Sequence, residues 1–543
     1  MIAAKSLRIA AFALATQALC AVAGAAPSDE ARNLNELRNT VVNLLQGLVE
    51  KGVLTREQAE AMVNAAQKKA AADAATTAAA EQADAGAIRV PYVPEIVKEE
   101  IRKQVAADLA PEVTKNVVEQ AQSEQWGVPA ALPDWARRVR WYGDVRVRGQ
   151  GDLFAPDNAT NAYLDVNTVN SKGGITKAGV AAFINTTEDR DRLRARFRVG
   201  LEAELGWGWS LGTRLTTGNL TDPVSTNQTL GNTGARYQTG FDLGYIKWYG
   251  NSSTGRNVLN LWGGRIPNPW LGTDLVWDPD LNFEGVAANY RFGLMRDDPY
   301  SHFAFLTIGA FPIQEVELSS KDKWLYGAQL GFEWKFAGGS RTRFGVAYYQ
   351  YDNITGVKNT FRDNTLDYTA PQFVQRGNTL YDIRNDDDET TQLLALAAEY
   401  HLADATVQFE WKLSPSYRLA LTGDYVKNVG LKPEDILART GFLVDKRDTG
   451  YQAELNFGRA SLAEVGAWRA FFGYRYVQAD AVLDAFTDSD FHLGGTDAKG
   501  YFLGFDYAFT PRVAARIRYL SANEIDGPPL GIDVLQLDLN ASF

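Results

Sequence analysis

Over most of this chain apolar and polar side chains alternate one by one, the pattern of strands that meet a different solvent on each face. In the closing run Leu535, Leu537, Leu539, Ala541 and Phe543 share one face, and Gln536, Asp538, Asn540 and Ser542 the other. A first strand over 137–153 sets Val139, Trp141, Val145 and Val147 against Arg138, Arg140, Tyr142, Asp144, Arg146 and Arg148. A second over 192–205 sets Leu193, Ala195, Phe197, Val199 and Leu201 against Arg192, Arg194, Arg196, Arg198, Glu202 and Glu204. The same period predicts strands at 209–218, 240–249, 257–267, 283–292, 301–313, 323–336, 341–352, 451–459, 467–478, 499–509, 512–521 and 533–543.

Tight connections such as Gly206-Trp-Gly208 and Thr510-Pro511 alternate with long polar ones such as 154–190 and 353–390. Two long loops on one side require an even number of crossings between them. Of the three runs at 391–402, 405–413 and 417–427, one must therefore merge with a neighbour. The reading is an all-β, antiparallel transmembrane barrel of about sixteen strands over 136–543, with short turns in the periplasm and long loops outside the cell. Rings sharing one face of a strand, among them Tyr326, Phe332 and Trp334, fit aromatic girdles at the two membrane interfaces.

The first 135 residues follow another rule. Lys5 and Arg8 precede an apolar run and small-residue cleavage sites, so 1–26 reads as a secretory signal peptide. Leu34, Leu37, Val41, Leu44, Leu45 and Leu48 recur at helical spacing, which makes 27–87 a helical segment with an Ala-rich linker. Over 88–135 a charged periplasmic helix carries Ile101, Val105, Leu109, Val113 and Val117, a narrow stripe suited to a coiled coil with copies of itself, and a linker follows. A solvated tether without a partner remains the alternative.

Composition excludes several classes. A net charge of −11 argues against nucleic acid as a partner. The single cysteine, Cys20, lies in the signal segment, which leaves no disulfide framework. Three histidines, none in a nucleophile motif, argue against an enzyme; His401, near Glu399 and Ser414, is the least poor candidate.

Chemistry concentrates on the polar face. Arg138, Arg140, Arg146, Arg148, Arg192, Arg194, Arg196 and Arg198, with Arg512, Arg516 and Arg518 from the penultimate strand, are expected to form one basic sector lining a pore. The third long connection, 268–282, is expected to fold inward with Asp274, Asp278 and Asp280, and Glu284 just beyond it, and to set a transverse field across a constriction. Pairing of these arginines with nearby acids and lipid phosphates is the open alternative. Asp278, Asp280, Asn282 and Glu284 alternate as oxygen ligands can, but no calcium-loop spacing is present, and neither metal nor cofactor is expected.

The sequence also resembles the putative porins of proteobacterial outer membranes. The resemblance lies in Val90-Pro-Tyr-Val-Pro-Glu-Ile-Val-Lys-Glu-Glu-Ile101, Trp126-Gly-Val-Pro-Ala-Ala-Leu-Pro-Asp-Trp135, Gly143-Asp-Val-Arg-Val-Arg148, the block from Gly264-Arg-Ile-Pro-Asn-Pro-Trp270 to Gly285, and the terminal Phe543, the assembly signal of such barrels. It implies a barrel with a helical periplasmic segment and a role in diffusion, and it carries no defined functional residues. The expectation is an outer-membrane porin for small hydrophilic solutes with weak anion preference. It would sit among outer-membrane lipid and lipopolysaccharide as a homo-oligomer, with a trimer as the expected form. The alternatives are an envelope tether whose helices contact the cell wall, and an uptake channel specific for one nutrient class.

Overall fold

The computed structural model describes residues 134–543 apart from 254, 255, 296, 297, 299 and 318. The expected signal peptide, the helical segment and Ala-rich linker, and the periplasmic helix lie outside the described residues.

The alternating segments pair in sequence order. One sheet holds seventeen strands, and without the two-residue strand Gln228–Thr229, which only flanks its neighbour, sixteen form the wall. They are β1 (Val139–Phe154), β2 (Arg190–Gly206), β3 (Trp209–Thr217), β4 (Thr239–Asn251), β5 (Asn257–Pro267), β6 (Asn282–Gly293), β7 (His302–Gln314) and β8 (Lys323–Lys335), followed by β9 (Arg341–Asp352), β10 (His401–Lys412), β11 (Tyr417–Asn428), β12 (Thr449–Arg459), β13 (Trp468–Val477), β14 (Ala498–Thr510), β15 (Val513–Glu524) and β16 (Gly531–Ser542). Each pairs antiparallel with the next, and β1 pairs with β16, so the barrel closes and leaves no edge. Tight turns gather at one end. Trp207, at φ 51 between Gly206 and Gly208, makes the β2–β3 reversal. The connections at the other end are loop 1 (155–189), loop 2 (218–238), loop 3 (268–281), loop 4 (315–322), loop 5 (353–400), loop 6 (429–448), loop 7 (478–497) and loop 8 (525–530).

Period two makes the wall two-faced. On β8, Leu330 is 58% exposed while its neighbour Gln329 is 1% exposed. An apolar exterior around a polar interior is the solvent order of a membrane barrel and the reverse of a soluble domain. The inner face also carries rings laid across glycines on adjacent strands. A Cβ on Gly200 would come within 2.5 Å of the Tyr142 ring, and one on Gly473 within 2.2 Å of the Phe502 ring. Closure uses the same device outside. Phe543 donates its N–H to Gly143 O at 3.1 Å, and a Cβ on Gly143 would lie 2.5 Å from the Phe543 ring.

Two expectations need adjustment. Of the three runs at 391–402, 405–413 and 417–427, the first lies almost wholly within loop 5 and does not cross the wall. Leu394–Leu396 forms a small separate sheet with Leu380–Asp382, and the wall resumes at His401. Ala395, Leu396, Ala397 and Ala398 are completely buried, and an apolar run packed on all sides has no face for water or lipid. The lumen is also fuller than a sixteen-strand wall with one inward loop would leave it. Trp270 and Trp277 of loop 3 pack edge-on against the inward Tyr349 at 5.1 and 5.0 Å, and Phe486 of loop 7 stacks on Tyr351 at 6.4 Å. Loops 5 and 7 interlock through Asn378, whose side-chain amide donates to Ala479 O at 2.7 Å and Val482 O at 2.9 Å.

Candidate functional site

Strand polarity positions the interior charges. β1 and β2 run antiparallel with Arg146 opposite Arg196 and Arg148 opposite Arg194, so their inward side chains form a ladder; Arg518 on β15 and Arg475 on β13 extend it around the wall. Loops 3 and 7 bring acids to this face and are themselves zipped together. Asp278 N–H donates to Phe486 O at 2.8 Å, and Ser489 N–H donates to the Asp278 carboxyl at 3.0 Å.

The resulting pairs are close. Asp280 lies 3.2 Å from Arg198 and 3.5 Å from Arg196, which also share Asp144 on β1 at 2.7 Å each. Asp274 meets Arg475 at 2.6 Å and Arg518 at 3.8 Å. Asp490 sits among three cations, 2.8 Å from Arg148, 3.7 Å from Arg518 and 4.0 Å from Arg194. Arg148 also grips Asp538 on β16 through Nε at 2.7 Å and an amino group at 3.0 Å. Arg192 pairs with Asp152, and Asp488 faces Arg475 at 3.1 Å.

Burial raises the carboxyls of the inward loops, and their neighbours decide the outcome. For Asp274, Arg475 and Arg518 outweigh burial and hold it at about 2. For Asp490, Arg148, Arg518 and Arg194 outweigh burial and hold it well below the usual range. Asp280 is held low in the same way by Arg196 and Arg198. Asp278 has no cation to counter burial, and Asp488 and Asp280 repel its charge, so its carboxyl is pushed well above the usual carboxylate range.

The sequence-predicted residues divide into two groups. Arg146, Arg148, Arg192, Arg194, Arg196, Arg198 and Arg518 line the interior beside Asp274, Asp278 and Asp280. Arg138, Arg140 and Arg512 are exposed near the tight-turn end, with Arg140 on Glu202 at 2.5 Å. Arg516 is bound to Asp506 at 2.6 Å, and Glu284 to Arg265 on the adjacent strand at 2.6 Å, so neither joins the central pairs. Sequence reasoning missed Arg475, Asp488, Asp490 and Asp538. The signal for the loop 7 pair was there: Asp488-Ser-Asp490 repeats the spacing of Asp278-Pro-Asp280. Among the described residues no cluster has the makings of a metal site.

Cavities follow the ladder. One of about 350 Å³ on the long-loop side is bordered by Arg192, Arg194 and Asp490. A second of about 380 Å³ is bordered by Arg146, Arg148, Arg196 and the same Asp490. It shares Asp274, Pro279, Arg516 and Arg518 with a third of about 370 Å³ toward the tight turns.

A closed barrel with an apolar exterior and a charged, cavity-bearing interior defines a β-barrel membrane channel. The chain belongs to the family described as putative porin, which matches residues 38–543. It is therefore an outer-membrane porin in class and location. No curated protein matches it. Among solved structures it is similar to OprB of Pseudomonas putida at high pH (13% identity, TM-score 0.41, covering 75% of this chain and 95% of that one). It is also similar to the outer membrane channel DcaP of Acinetobacter baumannii (12% identity, TM-score 0.38, covering 75% and 97%). A third is Salmonella typhi OmpF in complex with daunomycin (11% identity, TM-score 0.38, covering 75% and 97%).

Proposed function

We propose that the protein conducts small hydrophilic solutes through a narrow path along the arginine ladder, with loops 3 and 7 as the constriction and a weak preference for anions. The observation that carries this reading is the succession of three cavities joined by shared lining residues from the loop end toward the tight turns. Opposed arginines and carboxylates across such a passage create a transverse field that orients dipolar solutes. Pairing cancels most of the net sign. Arg146 makes no ion pair among the described residues, and burial beside Asp488 and Asp280 pushes the Asp278 carboxyl up, both of which favour a positive surplus.

Single-channel recording tests this. The expected result is a small conductance with a reversal potential on the anion side in a KCl gradient, and no conductance from folded protein would overturn it. The packing of loops 5 and 7 within the long-loop end favours a second reading, an envelope structural protein with an obstructed lumen. Folded but non-conducting barrels would favour that reading.

A further inference from the structure

Within the ladder one arginine stands apart. Arg146 is half-buried and borders the cavity of about 380 Å³. One of its amino groups donates to Asn227 Oδ1 of loop 2, and among the described residues it makes no ion pair, whereas Arg148, Arg192, Arg194, Arg196, Arg198, Arg475 and Arg518 each have one. A guanidinium cannot shed its charge, so one that borders a cavity without a carboxylate partner is left for something transient to answer through its amino groups.

The surrounding acids are all committed. Asp490 answers Arg148, Arg194 and Arg518, and Asp538 is held twice by Arg148. Asp280 and Asp144 serve Arg196 and Arg198, and Asp280 also accepts from Thr226 at 2.8 Å. Asp278 faces the same cavity but is spent on the N–H groups of Asp280 and Ser489 at 2.7 and 3.0 Å. Among the described residues no carboxylate is left for Arg146, although Arg196 stands directly across from it on β2.

We propose that Arg146, supported by Asn227, is a docking station for the oxyanion group of a transiting solute, and that small organic acids are the class of solute held there. The proposal rests on the channel reading above and names its solute. The volume beside Arg146 falls in the range of small-molecule pockets, more than a bare ion needs, and Asn227 offers a neutral amide that can answer a second polar group on the same molecule. The amino hydrogens of Arg146 not used on Asn227 suit charge-assisted hydrogen bonds to a carboxylate.

The test is current block in bilayers containing the full-length protein, with succinate, sulfate and the uncharged glycerol as probes in a KCl background. Succinate is expected to interrupt the current at far lower concentration than glycerol, with sulfate weaker. Arg146→Gln is expected to raise the half-blocking succinate concentration about tenfold or more, Arg146→Lys by less, and Asn227→Ala by a few-fold. Lys177→Gln, on an exposed helix of loop 1, should match the parent. Heat-modifiable migration on gels reports whether each variant has folded. If succinate and glycerol block alike, or Arg146→Gln blocks as the parent does while KCl still passes, the station is refuted and the channel stands. Sulfate blocking as well as succinate would refute the organic-acid assignment. A folded protein that passes no KCl overturns both.

Discussion

Replacing Asp490 by Asn tests the charge balance at its tightest point. The side chain borders both the upper and the middle cavity and touches three arginines at 2.8 to 4.0 Å. Asn keeps the shape and one acceptor but deletes the charge. A unit charge about 8 Å from a passing ion is worth about 0.5 kcal/mol in bulk water and about 2 kcal/mol at the effective dielectric of a protein surface. Its loss helps anions and hinders cations, so the permeability ratio should move by at least about 1 kcal/mol, or about fivefold, at low salt and by less at high salt.

The fold should survive that change. Arg148 retains Asp538, Arg518 retains Asp488 at 3.4 Å, and Arg194 retains Gln150 at 3.2 Å. The stability cost is then about 1–3 kcal/mol, below that of a buried charge left with no partner. The assay is the zero-current potential across a tenfold KCl gradient, compared with Asp490→Glu. A folded Asp490→Asn protein whose potential is unchanged, or moves toward cation selectivity, would refute the assignment of Asp490 to the ion path.

Leu330→Arg places a charge on the exterior of β8, where Leu330 is 58% exposed; it should destabilise the barrel in lipid by about 2–4 kcal/mol, read as a lower urea midpoint in vesicles. Arg376→Met should loosen the junction of loops 5, 7 and 8, because Arg376 pairs with Glu524 at 2.5 Å and donates to His492 O at 2.9 Å while His492 Nε2 meets Leu530 O at 2.9 Å; protease cleavage within loop 5 or loop 7 of folded protein should rise, and unchanged cleavage would count against this clasp. Burial pushes Asp484 in loop 7 up to about 7, and since the folded value lies above the unfolded one, its contribution is fully present below about pH 4 and is lost as pH rises through about 7. Hydrogen exchange of loop 7 should therefore accelerate between about pH 4 and pH 7 in the parent and level off above it, with the acceleration much reduced in Asp484→Asn after correction for the intrinsic pH dependence of exchange.

The wall was legible because its code is local. Val145 and Arg146 face opposite solvents whatever the rest of the chain does, and the parity of long and short connections restricts the strand count to even numbers. Element ends were read to within a few residues for the same reason. Closure was legible from Phe543, although the fit of its ring over Gly143 was not, since a contact between the two ends of a barrel leaves no trace in either segment alone.

The interior was illegible for a physical reason rather than through weakness of signal. Loops 5 and 7 are polar on average, yet Leu396, Ala481 and Val482 are buried to 1% or less. In a segment that packs on other loops no periodicity is imposed, because irregular backbone offers no fixed face. The arginine ladder could be read from strand alternation, but which acid answers which arginine depends on how far loops 3 and 7 descend. That depth is set by tertiary contacts such as Ser489 N–H to Asp278. Once the loops are placed, a simple constraint distributes the charges. Asp274, Asp280 and Asp490, whose guanidinium neighbours outweigh burial, are held low, whereas Asp278, which reaches none, is pushed up. Arg146, which reaches no acid among the described residues and cannot lose its proton, is the member of the ladder on which the proposed docking of a solute rests.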